Sequence, residues 1–116
     1  MINLSVLFLI LFWHWLADFV LQSDKDAKGK STSNKSLLSH TLVYSMAWLP
    51  ILSLNVIGAL WFVLITFICH TAQDYITSRE VKKYFDKQNF HNGFVVIGID
   101  QFLHYVQLIL CYYFLF

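Results

Sequence analysis

Apolar and polar positions divide the chain into four long apolar stretches separated by short polar segments. Residues 2–21, 37–54, 56–76 and 94–116 are dominated by Leu, Ile, Val, Phe, Trp and Tyr. Each is about 18–23 residues, the length a helix rising 1.5 Å per residue needs to cross a hydrocarbon core of about 30 Å. The pattern predicts an all-α fold, a four-helix transmembrane bundle forming one integral membrane domain over residues 1–116. Asn55 alone separates the second stretch from the third, which predicts a tight antiparallel hairpin; Pro50 interrupts the second stretch.

The polar segments carry their own signals. Residues 22–35 read as a flexible polar loop, with Asn34 or Ser36 available to cap the second helix. Thr77 and Glu80 stand at capping-box spacing. Val81, Tyr84 and Phe85 follow at helical spacing among Lys and Asp, which predicts a short amphipathic interfacial helix between the third and fourth spans. Asn92 and Gly93 then read as the turn into the last span.

Composition narrows the class. Hydrophobic residues make up 58% of the chain and charged residues 13%, about half of what a soluble domain uses to cover its surface. Aromatic residues at 18% exclude a disordered chain, and two cysteines exclude a disulfide scaffold. A net charge of +1 gives no field for nucleic acid. All eight basic residues fall in two windows: Lys25, Lys28, Lys30 and Lys35, then Arg79, Lys82, Lys83 and Lys87. The positive-inside rule assigns both windows to the cytoplasm, with both termini and Asn55 outside. The first stretch lacks the basic start and cleavage site of a signal peptide and is expected to be retained.

Ionisable residues inside apolar helices are costly and call for a function. The first span carries His14 and Asp18, the second His40, the third His70 and Asp74, the fourth Asp100 and His104. Residues four apart lie on one helix face, so each His–Asp pair aims an imidazole and a carboxylate the same way. Counted from the loops, all seven fall in the cytoplasmic leaflet, within roughly 10–12 Å of one another in depth. Imidazole and carboxylate together suit one or two divalent ions, zinc first, with manganese or iron as alternatives. In this reading His14, Asp18, His70, Asp74, Asp100 and His104 are ligands. His40 is a further ligand or the general base, with Gln22, Tyr44 and Gln101 orienting or polarising the site.

The expected function is a metal-dependent hydrolase of a lipid-linked phosphate or headgroup at the bilayer surface. The non-enzymatic alternative is a polar core that hydrogen-bonds the helices, binds metal for structure or handles protons. The outer halves of the spans are almost wholly apolar, which disfavours a complete channel. Cys69 and Cys111 read as small buried hydrophobes, and Trp13, Trp15, Trp48 and Trp61 as packing or interface anchors. His91 lies outside the polar layer. Four short spans also leave apolar surface that a second copy of the chain could cover; no motif argues for such a homo-oligomer.

The ordered set of His14, Asp18 and Gln22, then His40, then His70 and Asp74, then Asp100, Gln101 and His104 resembles small bacterial and phage membrane proteins grouped as domain of unknown function 3307. The resemblance covers essentially the whole chain. It implies a multi-spanning protein, expected in the bacterial inner membrane, and brings no established activity. The His–Asp pattern is more loosely similar to predicted membrane-bound metal-dependent hydrolases.

Overall fold

Asn3 opens the first helix by accepting a hydrogen bond from the Val6 amide at 2.9 Å. The computed structural model describes residues 2–116, and every regular element among them is helical. Helix α1 (Leu4–Trp15) widens into a π turn (Leu16–Val20), closed by the Leu21 amide on the Leu16 carbonyl at 3.0 Å. Helix α2 (Asp24–Gly29) and helix α3 (Asn34–Met46) follow. A 3-10 turn (Leu49–Ser53) then starts where Pro50, lacking an amide hydrogen, ends the α pattern. Helices α4 (Val56–Asp86) and α5 (Phe90–Leu115) complete the chain.

Four local expectations are corrected. The amphipathic segment after the third apolar stretch is no separate helix: residues 77–86 are the end of α4. Thr77 does not cap, because its hydroxyl lies inside the helix, 2.9 Å from the Gln73 carbonyl. The turn falls four residues before Asn92, at Gln88, which adopts φ 57°. Asn89 caps α5 through the Asn92 amide. Gly93 sits inside α5, where a Cβ would strike the Phe85 ring of α4. Finally, residues 22–35 are largely ordered. Ser23 caps α2, Asp26 is buried, and Ser33 rather than Asn34 or Ser36 caps α3.

Packing is inverted relative to a water-soluble protein. Glycine aside, twelve buried residues are polar or ionisable and eight are apolar. Phe8, Phe12, Trp61, Ile68, Phe94 and Phe102 all expose more than half of their surface. Helices α4 and α5 are long and apolar enough to cross a membrane; the Leu4–Val20 segment is apolar but shorter. An apolar core of Ile10, Tyr44, Trp48, Phe62 and Leu108 fills one half of the bundle. Hydrogen bonds tie the helices around it: Trp13 Nε1 donates to the Ala47 carbonyl at 2.7 Å, and Gln107 donates to Thr66 at 3.1 Å.

Helices α4 and α5 run antiparallel, so the start of α4 meets the end of α5, with Gly58 close to the Leu115 backbone and Phe62 against Phe116. At the other end the two basic windows meet. Arg79 donates to Asn34 Oδ1 at 3.0 Å, and Lys30 reaches Asp74 at 3.1 Å. The polar cluster lies between this basic end and the apolar core.

Candidate metal centre

Four side chains from three parts of the chain converge on one point. Asp18 comes from the π turn, His40 from α3, and His70 and Asp74 from successive turns of α4. All four are at most 3% exposed. His40 Nε2 lies 3.0 Å from Asp18 Oδ1, 3.2 Å from Asp74 Oδ2 and 3.2 Å from His70 Nε2. His70 Nε2 is 3.5 Å from Asp18 Oδ1 and 3.4 Å from Asp74 Oδ2. A tetrahedral ion with bonds of about 2.0–2.1 Å to N and O has ligand–ligand edges of about 3.3–3.4 Å. Five of the six edges of this quartet therefore match such a cage. Asp18 Oδ1 accepts no hydrogen bond although His40 Nε2 is so near. The four donor atoms are close enough to share one ion, and the His40 and His70 Nε2 atoms also lie within hydrogen-bond distance of each other.

A second set adjoins the first. Ligand atoms of Asp18, Asp100 and His104 lie within 4.8 Å of one another, so Asp18 belongs to both groups. His104 Nε2 is 3.1 Å from Asp100 Oδ2 and 3.4 Å from Asp74 Oδ1. Asp100 Oδ1 in turn faces the Thr77 hydroxyl at 2.6 Å.

His14 stands beside these sets and outside both. Its Nδ1 is 2.7 Å from the Tyr44 hydroxyl and its Nε2 is 2.6 Å from Gln101 Oε1. Gln101 donates its amide to Asp18 Oδ2 at 3.3 Å and Asp100 Oδ2 at 3.2 Å, which turns its oxygen toward His14. His14 Nε2 therefore carries the proton and Nδ1 accepts from Tyr44. Tyr44 also stacks on His70 with ring centroids 3.9 Å apart, and His70 stacks on His104 at 4.1 Å. Gln22 makes no bond to the cluster; its Oε1 is buried without a partner.

Lys30 was not legible as a site residue. It follows α2, and its Nζ lies 3.1 Å from Asp74 Oδ2 with the side chain 21% exposed. Burial works against its charge, but the Asp74 and Asp18 carboxylates outweigh it and hold the ammonium above the ordinary lysine range. Beside Lys30 opens a cleft of about 430 Å³ that reaches Asp74, Asp100 and Gln101.

Fold and cluster together define an all-helical protein with a buried His–Asp centre fit to ligate a metal ion. The chain belongs to the family described as protein of unknown function (DUF3307), whose model matches residues 6–116. No curated protein and no solved structure matches it.

Proposed function

We propose that this is a four-span integral membrane protein that holds one or two divalent ions, zinc before manganese or iron. In this proposal it hydrolyses a lipid-linked or headgroup substrate at the cytoplasmic leaflet. The observation that carries the metal is the quartet of Asp18, His40, His70 and Asp74, with five edges of 3.0–3.5 Å and an unbonded Asp18 Oδ1 as one of its corners. Charge supports it. Asp18, Asp74 and Asp100 are buried, and Lys30 is the one basic side chain outside the histidines that pairs with any of them among the described residues. With the histidines neutral, the form in which they ligate metal, three carboxylates against one ammonium leave two negative charges, which one divalent ion cancels; uncompensated buried charge costs several kcal/mol.

The two sets have different characters. The quartet supplies four ligands and suits a closed site, whereas Asp18, Asp100 and His104 supply three and leave a position free. Asp74 and Asp100 both line the cleft, so a substrate there comes within reach of the open position of the second set. An ion there supplies Lewis acidity and a water acidified toward neutral pH. His14, Tyr44 and Gln101 act behind the ligands and fix their orientation.

The membrane reading is supported by the inverted packing and by lengths. Leu4–Val20 spans about 25 Å as helix. Helix α3 with the 3-10 turn reaches about 30 Å at 1.5 and 2.0 Å per residue.

Elemental analysis of detergent-purified protein tests the centre. Wild type is expected to hold between one and two equivalents of metal, His70→Ala to lose the quartet's ion, and Asp100→Asn to lose only the second. Phosphoester hydrolysis should vanish with Asp100→Asn. Metal-free wild type after supplementation would overturn the proposal. It would favour a hydrogen-bonded structural core, for which the existing links among α1, α3 and α5 through His14, Tyr44 and Gln101 already provide.

A further inference from the structure

The cleft over the metal centre has a chemistry of its own. Lys28 and Lys30 line one side and Lys82 the other. These lysines come from the α2 region and from the last turns of α4, two segments far apart in sequence that the fold brings to one opening. Ser78 also lines the cleft, and its Oγ is shielded from solvent with no hydrogen-bond partner. The floor is acidic, with Asp74 and Asp100. An anion cannot rest against bare carboxylates, but it can once a divalent ion sits behind them. Ions would then draw charge from Asp74 and repel the Lys30 ammonium, freeing it to turn outward. The Lys28 ammonium, the released Lys30 ammonium, a free hydroxyl and a cationic floor fit tetrahedral phosphoryl oxygens; Lys82 joins them only by leaving Asp86, which also lines the cleft and holds it at 2.6 Å. Val81, Phe85 and Ile97 continue the wall as an apolar strip, which suits the chain attached to such a headgroup.

We propose that this cleft is a phosphoryl-binding site that takes a phosphomonoester headgroup, with Lys30 as its principal anchor and Lys82 and Ser78 as further contacts. The site rests on the metal reading above and specifies the substrate class of that same centre. Lys30 then has two partners in turn, Asp74 before the anion arrives and a phosphoryl oxygen afterwards.

The test titrates detergent-purified, metal-loaded protein with three probes, following thermal unfolding and calorimetric binding. The probes are inorganic phosphate, short-chain phosphatidic acid and short-chain phosphatidylcholine. Phosphate and phosphatidic acid are expected to bind and raise the unfolding midpoint, and phosphatidylcholine is not. Lys30→Gln should weaken binding at least tenfold and Lys82→Gln severalfold when variants and wild type are compared at equal metal occupancy. Lys83→Gln, on the same helix but paired with Glu80 away from the cleft, should bind as wild type does. Tenfold tighter binding of phosphatidic acid than of phosphate assigns the site to a lipid headgroup; equal affinity assigns it to the free anion, and either supports the cleft. Equal affinities for wild type and Lys30→Gln, or no binding of either probe to metal-loaded protein, overturn the proposal. The same titration on metal-free protein separates the two readings. Phosphate binding that persists in metal-free protein overturns the ion-dependent cleft proposed here and leaves the metal reading to elemental analysis. Metal-loaded protein that binds no phosphate keeps the metal centre and removes the cleft.

Discussion

Tyr44 performs two tasks with one side chain, and each can be removed separately. Its ring stacks on His70, and its hydroxyl donates to His14 Nδ1 at 2.7 Å. Tyr44→Phe keeps the stack and deletes the donor, so His14 Nδ1 loses its partner and the ring is held by Gln101 alone. The loosened ring weakens the chain that runs through Gln101 to Asp18 and Asp100. Outer partners of this kind commonly set metal affinity by 10–100-fold. Tyr44→Phe is therefore expected to weaken metal binding on the order of tenfold, read by competition with a chelator, with an unchanged helical spectrum. Unaltered affinity would show that the His14 chain does not orient the ligands. The His–Asp pairs themselves were legible because positions four apart on a helix share a face whatever surrounds them, and His70 with Asp74 does converge on one centre. The role of His14 was not legible in this way. Its spacing to Asp18 matches the other pairs, yet Tyr44 and Gln101 on other helices claim both of its nitrogens. Lys30 was hidden for a related reason, since nothing local says that a loop lysine folds back onto Asp74.

Among the elements, the π turn has the largest consequence for the site. A widened turn at Leu16–Val20 rotates Asp18 away from the regular helical position, and its Oδ1 meets His40 and His70 on two other helices. π turns recur at functional sites because they re-aim one residue without ending the helix. Hydrophobic periodicity does not register them, so the first apolar stretch read as plain helix. The α4–α5 connection was misread in the opposite sense. Asn92 and Gly93 carry the composition of a turn, but Gly93 is needed inside α5 for the Phe85 ring, and the bend falls to Gln88. A non-glycine residue at φ 57° carries a cost of about 1–2 kcal/mol, partly offset by the extra unfolded-state freedom of glycine. Gln88→Gly should therefore stabilise the protein on the order of 0.5–1 kcal/mol, measured by denaturant titration in detergent, with metal content untouched. A loss of stability would mean that the Gln88 side chain contributes more than its backbone conformation costs.

For the molecule as a whole, the decisive property is that polar residues outnumber apolar ones among the described buried residues while many aromatic and aliphatic side chains face outward. In water that arrangement would leave an exposed apolar surface far larger than monomers carry; in lipid each side of it is in its favoured medium. Two helices are long and apolar enough to cross a membrane, and on the proposed four-span reading the other two raise a question of geometry. Leu4–Val20 reaches about 25 Å, a few ångströms short of a typical core, so on the proposed membrane reading it would cross with local thinning or lie along the interface. Sidedness separates these. With Cys69 and Cys111 replaced by alanine, single cysteines at Ile2, Lys25, Leu54 and His91 are probed with a membrane-impermeant maleimide. Four spans require Ile2→Cys and Leu54→Cys to react in intact cells, and Lys25→Cys and His91→Cys to react only after permeabilisation. If Ile2→Cys and Lys25→Cys report the same side, the first helix does not cross, and Asp18 is delivered to the centre by an interfacial segment. Lys25→Cys and His91→Cys on opposite sides would break the arrangement at its strongest point, because Lys30 with Asp74 and Arg79 with Asn34 hold the two basic windows together at one end of the bundle.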